Sequence, residues 1–251
     1  MSLLTEERYQ IILDYLKKHE AVTVTQLTKM LDSSESTIRR DLNALNEEGK
    51  LKKVFGGATS ITHISSVPEE RVSQRETVMR KEKELIGRYA ATFINDDDFV
   101  YIDSGTTTSF FIDYITNDKA TYVTNGVAHA LKLLRKGFKA YLIGGRIKPV
   151  TEAIVGAEGI RGINNYNFTK AFMGTNGIDI QAGFTTPDVE EGCIKERAVQ
   201  QSYMAYVLAD HTKFHRVYPV SFSSLDTCCI ITDKFPEGRF SEITVVKEVN
   251  E

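Results

Sequence analysis

The stretch of sequence that decides the fold is SSESTIRRDLNAL, residues 33–45. Ile38, Leu42 and Leu45 follow one another at i, i+4 and i+7, the spacing that places apolar side chains on one face of an α-helix. Ser34 precedes this pattern, and a serine there caps the first turn by accepting a backbone hydrogen bond. The spacing therefore predicts an amphipathic helix that begins after Ser34 and packs through one apolar stripe.

The opposite face of this helix carries groups that suit DNA. At about 100° per residue, Ser36, Arg40 and Asn43 fall opposite the apolar stripe, and Arg39 lies beside them. Guanidinium, amide and hydroxyl groups hydrogen-bond to base edges and to phosphate oxygens. The pattern therefore predicts the recognition helix of a helix-turn-helix, which enters the major groove of DNA.

The flanking sequence is expected to complete a DNA-binding domain over residues 1–58. An amphipathic helix is predicted at residues 5–18, and Thr25 is expected to cap a second one. Gly49 is suited to the end of the recognition helix, because glycine readily adopts the left-handed conformation found there. The run LKKVFGGA, residues 51–58, predicts a β-hairpin, or wing, that turns at its glycines.

Charge is placed unevenly within this domain. The chain has 251 residues and a formal net charge of −3, and residues 1–58 contain nine Lys and Arg against nine Asp and Glu. This balance argues against a chain that coats nucleic acid without selectivity. The two arginines of the recognition helix, with Lys52 and Lys53 on the wing, instead favour site-specific binding. A small helical domain with a solvated charged face is the alternative.

Composition indicates a cytoplasmic protein with a packed core. Hydrophobic residues make up 41% of the chain. Because the sequence has neither a secretory leader nor a run of 18 apolar residues, we expect no membrane segment. The three cysteines, Cys193, Cys228 and Cys229, lack the spacing of metal ligands. We therefore expect reduced thiols, no bound metal and no cofactor.

A polar segment separates two parts of the chain. Residues 59–75 contain Pro68 and show no apolar period, so they are predicted to form a linker. From residue 76 to residue 251, short apolar strands alternate with helices. The predicted strands lie at 99–102, 121–123, 140–143, 171–173, 206–209 and 228–231. Nearly every strand is followed by Gly, Asn, Asp or Thr, which predicts an α/β domain with a ligand site at the carboxyl ends of its strands.

The most informative loop of this domain is DSGTTT, residues 103–108, between a strand and a helix. Gly105 lets the backbone approach a ligand, and the amides at the start of the helix suit an anion. Its hydroxyl groups belong to Ser104, Thr106, Thr107 and Thr108. The loop lacks the lysine of a Walker motif and the pattern GxGxxG, so a monophosphate fits better than a nucleotide. An ordinary strand-to-helix turn with capping hydroxyls is the alternative.

Other loops are expected to supply the remaining ligand contacts. Arg146 and Lys148 follow a Gly-Gly pair and suit a second charged or hydroxyl group, although surface cations are the alternative. Asn176 is expected to hydrogen-bond sugar hydroxyls. Asp210 and Lys213 follow the fifth strand and are expected to border the mouth of the site.

Two sets of motifs resemble the DeoR family of bacterial transcriptional regulators. The first is TIRRDL at 37–42, followed by Leu45, Gly49 and GGA at 56–58; the second lies at 103–107, 123–126, 144–146, Gly177 and 209–214. The resemblance implies a winged helix-turn-helix domain and an effector domain similar in fold to ribose-5-phosphate isomerase. It also implies a regulator that binds operator DNA as a homo-oligomer. By this resemblance, Ser36, Thr37, Arg39 and Arg40 contact DNA, and Lys52 and Lys53 contact the flanking backbone.

The same resemblance implies a phosphorylated sugar as effector. The phosphate would bind at residues 104–108. The full set of expected effector contacts is Asp103, Ser104, Gly105, Thr106, Thr107, Thr108, Asn125, Gly126, Arg146, Asn176, Asp210 and Lys213. The run GFTTPDVEE, residues 183–191, is most similar to repressors of fructose use, which implies fructose 1-phosphate. Regulators of lactose and galactitol use, which sense tagatose 6-phosphate, are near relatives.

An enzyme is the main alternative: a sugar-phosphate isomerase with a fused DNA-binding domain. Isomerases of similar fold carry Asp-Gly-Ala-Asp-Glu where this chain has NGIDI, residues 176–180. An amide at Asn176 cannot take up a proton as the first carboxylate does. Asp179 and Glu196 remain as candidate acids or bases. A DNA-binding scaffold without a small ligand is a third class, and the polar strand ends count against it.

Overall fold

The helix at residues 35–47 is the centre of the first of two units. The computed structural model describes residues 4–19, 21–60, 72–235 and 240–250, and the chain divides into units 1–63 and 64–251. The elements of the first unit are α1 (Thr5–His19), β1 (Ala21–Thr23), α2 (Val24–Leu31), α3 (Glu35–Glu47), β2 (Lys52–Val54) and β3 (Gly57–Thr59). In α3, Ile38, Leu42 and Leu45 are fully buried, as the pattern predicts. They pack with apolar residues of α1, α2 and the wing in one cluster.

Local capping fixes the ends of the helix-turn-helix. Ser34 caps α3 as predicted, because its Oγ accepts a hydrogen bond of 3.2 Å from the Thr37 backbone N–H. Gly49, just beyond α3, has a φ of +67°. The prediction that Thr25 caps α2 is wrong. Thr23 is the cap, since it exchanges hydrogen bonds with Gln26 three residues later and α2 begins at Val24.

The wing belongs to a three-stranded antiparallel sheet with the order β1-β3-β2. Its turn is formed by Phe55 and Gly56, whereas the sequence predicted a turn at the two glycines. Gly57 lies within β3 instead, opposite Thr23 of β1. A Cβ at Gly57 would lie 2.1 Å from the Val22 carbonyl oxygen. This close approach explains why the second glycine belongs to the strand.

The predicted linker, residues 59–75, is only partly described. Thr59 belongs to β3, and residues 72–75 lie in the next helix, so the described structure leaves a shorter connection than the sequence predicted. Residues 61–71 of that prediction lie outside the described residues. Within the described ranges, no helix has the length and apolar character needed to cross a membrane.

The second unit is built on a parallel sheet. Its helices are α4 (Val72–Thr77), α5 (Arg80–Ala91), α6 (Thr106–Tyr114), α7 (Val127–Arg135), α8 (Ala157–Asn164), α9 (Val189–Gln200) and α10 (Phe240–Ile243). Its strands are β4 (Phe99–Ile102), β5 (Thr121–Thr124), β6 (Lys139–Leu142), β7 (Arg146–Lys148), β8 (Ala153–Val155), β9 (Phe168–Gly174), β10 (Gly177–Asp179), β11 (Gly183–Thr186), β12 (Ser202–Leu208), β13 (Val220–Ser223), β14 (Cys229–Thr232) and β15 (Val246–Glu248).

The main sheet has the strand order β15-β14-β12-β9-β4-β5-β6, and all its neighbouring pairs are parallel. Strands β10, β11 and β13 form a small antiparallel sheet, and β7 pairs with β8. Two apolar clusters account for the burial of the main sheet, one including Tyr101 and Met173 and the other including Ile102 and Phe172. Alternate residues of the same strands thus pack in different clusters, as expected of a parallel sheet covered on both faces. The predicted class, α/β with an N-terminal winged helix-turn-helix, is confirmed.

Candidate DNA-binding surface and effector cavity

The exposed face of α3 presents the predicted polar groups. Ser36, Arg39, Arg40 and Asn43 are all exposed. The Arg39 guanidinium pairs with the Glu35 carboxylate one turn earlier at 3.2 Å. Arg40 makes no hydrogen bond or ion pair with any residue that the structure describes. Arg40 is therefore the recognition-helix cation that can bind DNA without first breaking an ion pair.

The wing is held against the recognition helix by Lys53. Its ammonium Nζ donates to Asn43 Oδ1 at 2.6 Å, and its backbone N–H donates to Asn46 Oδ1 at 2.8 Å. Lys52 is exposed on the same strand. Thr37, by contrast, is half-buried, and its hydroxyl lies 2.9 Å from Ser34 Oγ in the capping network. The geometry groups the predicted DNA contacts on one edge of the domain, while contact with DNA stays a prediction.

A cavity of about 350 Å³ lies in the second unit. Its walls include residues that follow three neighbouring strands of the main sheet, β4, β9 and β12. The lining residues are Arg75, Val78, Met79, Lys83, Asp103, Ser104, Gly105, Thr106, Thr107, Gly174, Thr175, Asn176, Pro187, Glu191, Lys195, Thr212, Lys213, Arg216 and Tyr218. Because the carboxyl ends of parallel strands meet at one edge, these loops converge there as the sequence analysis expected.

The loop at residues 103–107 forms one wall of the cavity. Thr108 does not line it; its hydroxyl donates to the Asp103 and Gly105 carbonyl oxygens at 2.5 and 2.8 Å. His129 lies beneath the loop with Nε2 3.0 Å from the Gly105 carbonyl oxygen, and burial lowers the pKa of His129 to about 4. A neutral imidazole and a fully buried hydroxyl therefore hold the loop in shape.

The start of α6 in this loop leaves donors free. The backbone N–H groups of Thr106 and Thr107 donate no hydrogen bond to any residue within the described ranges, as is usual for the first turn of a helix. Both residues line the cavity and carry hydroxyl groups. Amides and hydroxyls at the positive end of a helix favour an anion.

A buried ion pair crosses the cavity wall. Lys195 Nζ on α9 pairs with Asp103 Oδ2, which also accepts a 2.9 Å hydrogen bond from the Gly174 backbone N–H. Lys195 is 6% exposed and Asp103 1% exposed. The other carboxylate oxygen, Asp103 Oδ1, is buried without a hydrogen-bond partner among the described residues. In the described structure, the cavity wall therefore contains one unsatisfied acceptor.

Cations outnumber carboxylates around the cavity. The lining cations are Arg75, Lys83, Lys195, Lys213 and Arg216, against the carboxylates of Asp103 and Glu191. Both carboxylates are already engaged, Asp103 by Lys195 and Glu191 by Lys148. Burial lowers the pKa of Lys83 to about 8, with neighbouring Lys213 and Arg75 acting in the same direction. An anionic ligand would offset this excess of positive charge.

Lys83 and Lys195 were not among the predicted site residues. Each lies on a helix at a position where the periodicity calls for an apolar residue: Lys83 is spaced with Ile86 and Ala90, and Lys195 with Ala198. A charged residue on the buried stripe of an amphipathic helix is the signal that identifies them. Arg75 fell within the predicted linker, and Arg216 follows the Lys213 loop without a local pattern.

Several predicted effector residues do not line this cavity. Asn125 Oδ1 accepts a 3.0 Å hydrogen bond from the Ser104 backbone N–H, so Asn125 supports the loop from behind. The Gly126 N–H donates to Thr124 Oγ1 within its own turn. Asp210 Oδ1 accepts a 3.0 Å hydrogen bond from the Thr212 backbone N–H, which makes Asp210 a cap. These residues position the walls rather than form them.

The cations after the Gly-Gly pair also lie elsewhere. Arg146 is exposed and pairs with the Glu190 carboxylate. Lys148 pairs with Asp188 at 3.1 Å and with Glu191 at 3.2 Å. Both cations follow β6, the edge strand of the main sheet, and their nearest charged partners are on or beside α9. Arg146 thus fits the alternative of a surface cation, whereas Lys148 is half-buried between two carboxylates.

The two acid–base candidates of the isomerase alternative, Asp179 and Glu196, do not line the cavity. Glu196 is exposed and accepts a hydrogen bond from Gln200, outside the cavity lining. Asp179 Oδ1 accepts the backbone N–H groups of Gln181 and Ala182 and so closes a turn. Asn176 does line the cavity, and its Oδ1 accepts a hydrogen bond from a threonine hydroxyl. In the described part of the chain, no group of three His, Cys, Asp or Glu side chains suits a metal ion.

The two units together define a helix-turn-helix transcriptional regulator with a ligand-sensing domain. Two family models match the chain, the DeoR-like helix-turn-helix domain over residues 8–63 and the DeoR C terminal sensor domain over residues 78–234. The chain belongs to the DeoR family of DNA-binding transcriptional regulators, as its motifs predicted.

Full-length relatives agree with this assignment. The chain is 40% identical to the "Uncharacterized HTH-type transcriptional regulator FruR" of Bacillus subtilis (strain 168), over 98% of this chain and 99% of that protein. It is 36% identical to the HTH-type transcriptional regulator IolR of the same strain, over 94% of each protein. It is 30% identical to the lactose phosphotransferase system repressor of Staphylococcus aureus (strain MRSA252), over 97% and 98%. Their names describe regulators, which confirms the prediction that the chain is not an enzyme.

Solved structures give weaker likenesses. Ribose 5 phosphate isomerase A from Neisseria gonorrhoeae superposes with a TM-score of 0.38 and 14% identity, over 53% of this chain and 52% of that one. The sorbitol operon regulator SorC from Klebsiella pneumoniae gives a TM-score of 0.38 and 10% identity, over 83% and 90%. At these TM-scores the likenesses carry no argument about function.

Proposed function

We propose that this chain is a cytoplasmic repressor of a sugar-utilisation operon, released from its operator by a phosphorylated sugar, with fructose 1-phosphate as the preferred effector. The observation that carries the proposal is the cavity beside the Ser104–Thr107 loop. It combines free backbone donors, an excess of cations and one unpartnered carboxylate oxygen. Each of these features corresponds to one part of a sugar phosphate.

The phosphate would bind at the start of α6. Thr106 and Thr107 supply two free backbone N–H groups and two hydroxyls to the cavity wall. A phosphate dianion gains from aligned helix amides and from nearby ammonium and guanidinium groups, and each charge-assisted hydrogen bond contributes roughly 1.5–3 kcal/mol. We assign the neutralising charge to Lys83 and Lys213, which both line the cavity, since Lys195 is already paired with Asp103.

The sugar would occupy the neighbouring wall. Asp103 Oδ1 is a buried acceptor without a partner among the described residues, and a sugar hydroxyl is a donor that would satisfy it. Asn176 also lines the cavity and adds an amide. A volume of about 350 Å³ falls at the lower end of the range of small-molecule sites. Hydrogen bonds to the sugar hydroxyls would allow the site to bind a sugar phosphate in preference to inorganic phosphate.

The names of relatives support a sugar pathway. One relative is the HTH-type transcriptional regulator FruR, and another is a lactose phosphotransferase system repressor. The similarity of residues 183–191 to regulators of fructose use favours fructose 1-phosphate over tagatose 6-phosphate. Both compounds carry one phosphate and several hydroxyls, so the cavity chemistry suits either.

Regulation would proceed through a homo-oligomer. Two recognition helices held at half-sites about 34 Å apart bind one operator together and gain affinity from their linkage. If the liganded protein prefers an arrangement that no longer matches both half-sites, DNA is released. A hundredfold loss of DNA affinity requires only about 2.7 kcal/mol of difference in effector binding between the two arrangements.

The test uses a DNA duplex that the wild-type chain selects from a random-sequence pool. Fructose 1-phosphate, tagatose 6-phosphate, fructose and inorganic phosphate are each titrated into the protein–DNA complex while fluorescence anisotropy is recorded. We expect release with a phosphorylated sugar and no release with fructose or inorganic phosphate. Lys213→Met should weaken the response, whereas Lys247→Met on the exposed strand β15 serves as the matched control. Unchanged anisotropy with every phosphorylated sugar would reject the proposal.

A further inference from the structure

We propose that Phe55, at the tip of the wing, inserts into the minor groove of DNA beside the recognition helix and makes binding depend on how easily the base pairs there deform. The relative accessible surface of Phe55 is 108%, and no ring contact involving Phe55 occurs among the described residues. Burying a phenyl ring away from water is favourable, so the fully exposed ring leaves that gain unused in the free protein. A fully exposed phenyl ring on a DNA-binding domain is therefore a candidate for direct contact with DNA.

The tip that carries Phe55 is anchored to the rest of the domain by a backbone hydrogen bond and close packing. The turn consists of Phe55 and Gly56, and Gly56 has a φ of +81°. The Gly56 carbonyl oxygen accepts a 2.8 Å hydrogen bond from the Val24 backbone N–H at the start of α2. Gly57 packs so closely on β1 that it has no room for a Cβ. The ring is therefore presented from a fixed backbone, which keeps the entropic cost of binding small.

The charges around the tip identify DNA as the partner. Lys52 and Lys53 precede the turn on the same strand, and Lys53 Nζ is hydrogen-bonded to Asn43 of the recognition helix at 2.6 Å. The wing thus continues the cationic edge of α3. An apolar ring flanked by lysines complements a groove whose walls are phosphates and whose floor is base pairs.

Groove dimensions favour the minor groove for this ring. When α3 lies in the major groove, about 12 Å wide, the attached hairpin flanks it at the adjacent backbone and minor groove. The minor groove is about 6 Å wide, which excludes a helix but leaves room for a single apolar side chain such as Phe55. Phenylalanine is one of the side chains that wedge between base pairs there, and such wedges favour flexible pyrimidine–purine steps. Phe55 would add sequence preference outside the bases read by α3.

The experiment compares the full-length wild-type chain with Phe55→Ala, Phe55→Leu and the neighbouring control Val54→Ala. Each protein selects duplexes from a random pool, and affinities for the wild-type duplex are then measured. We expect Phe55→Ala to lose about tenfold in affinity, in the range for aromatic contacts with bases. It should keep the central half-site sequence but lose preference at flanking positions. Phe55→Leu should be intermediate, and Val54→Ala unchanged.

Inosine separates minor-groove reading from major-groove reading. Replacing a flanking G·C pair by I·C removes only the amino group in the minor groove. The wild-type chain should distinguish these two pairs, and Phe55→Ala should not. The proposal is overturned if Phe55→Ala binds like the wild type or keeps the flanking preference. It is also overturned if the wild type treats I·C as G·C, or if the substitution alters only the response to fructose 1-phosphate.

Discussion

Replacing Lys195 by methionine tests whether the buried ion pair with Asp103 organises the cavity. Methionine is unbranched and close to lysine in length, so the change removes charge with little loss of volume. Asp103 is 1% exposed and Lys195 6% exposed. Removing one partner of a buried pair leaves an uncompensated charge and costs roughly 3–5 kcal/mol. Because the Gly174 N–H still donates to Asp103 at 2.9 Å, we expect about 3 kcal/mol.

The double variant Asp103→Asn with Lys195→Met isolates the electrostatic part. An asparagine Oδ1 can still accept the hydrogen bond from Gly174, and no isolated charge remains. We therefore expect the double variant to be more stable than Lys195→Met alone by at least ~1.5 kcal/mol, in the range of coupling energies for directly interacting residues. Lys247→Met, at an exposed position, controls for loss of a lysine elsewhere.

The assay is urea unfolding followed by far-ultraviolet circular dichroism, since the chain contains no tryptophan. At a slope of roughly 1–3 kcal/mol per molar urea, a loss of 3 kcal/mol moves the midpoint of the affected transition by about 1–3 M. Measurements are made without phosphate, which would stabilise the folded state by binding. A midpoint shift below ~0.3 M, or a double variant less stable than the single one, would refute the reasoning.

Four further substitutions examine the two sites. Arg40→Ala should weaken binding to the selected duplex by roughly 1–3 kcal/mol. Arg39→Ala should weaken it by less, because the Arg39 guanidinium is already paired with Glu35. Equal losses of affinity in a gel-shift titration would count against this assignment. Thr107→Val removes one cavity hydroxyl and should weaken fructose 1-phosphate binding about tenfold by calorimetry, with DNA affinity unchanged in its absence; undiminished sugar-phosphate affinity would contradict it. Since the pKa of Lys83 is lowered to about 8 and a bound anion would raise it, affinity should be full at pH 7 and fall as pH rises through 8, with proton uptake. Lys83→Met should abolish that uptake, and pH-independent affinity of the wild type from pH 7 to 9 would exclude the linkage.

Local patterns predicted the elements that depend on neighbouring residues. The apolar stripe and the Ser34 cap of α3 are both set within one or two helical turns, so their spacing was sufficient. The predicted start of α2 was wrong because Thr23 and Gln26 form a capping box, which places the start of the helix before Thr25. The helix α9 ends at Gln200 and β12 begins at Ser202, because pairing with β9 in the main sheet outweighs continuation of the helix.

The cavity was predictable only where one loop builds it. Residues 103–107 form a strand–glycine–helix turn, and such a turn can be identified from contiguous sequence. Lys83 and Lys195 reach the cavity from α5 and α9, and their approach depends on how these helices pack on the sheet. Asn125 and Asp210 show the reverse case. They lie at strand ends as expected, but Asn125 accepts a backbone hydrogen bond from the neighbouring loop at Ser104, and Asp210 accepts one from Thr212 in its own loop.

The most direct test of the central claim is one anisotropy titration of fructose 1-phosphate into the complex of the full-length chain with its selected duplex, run for the wild type and for Thr107→Val. The account predicts that the wild-type complex dissociates and that the Thr107→Val complex requires about tenfold more ligand. Calorimetric binding of the sugar phosphate without any release of DNA would contradict the account, and so would release that is identical in the two proteins.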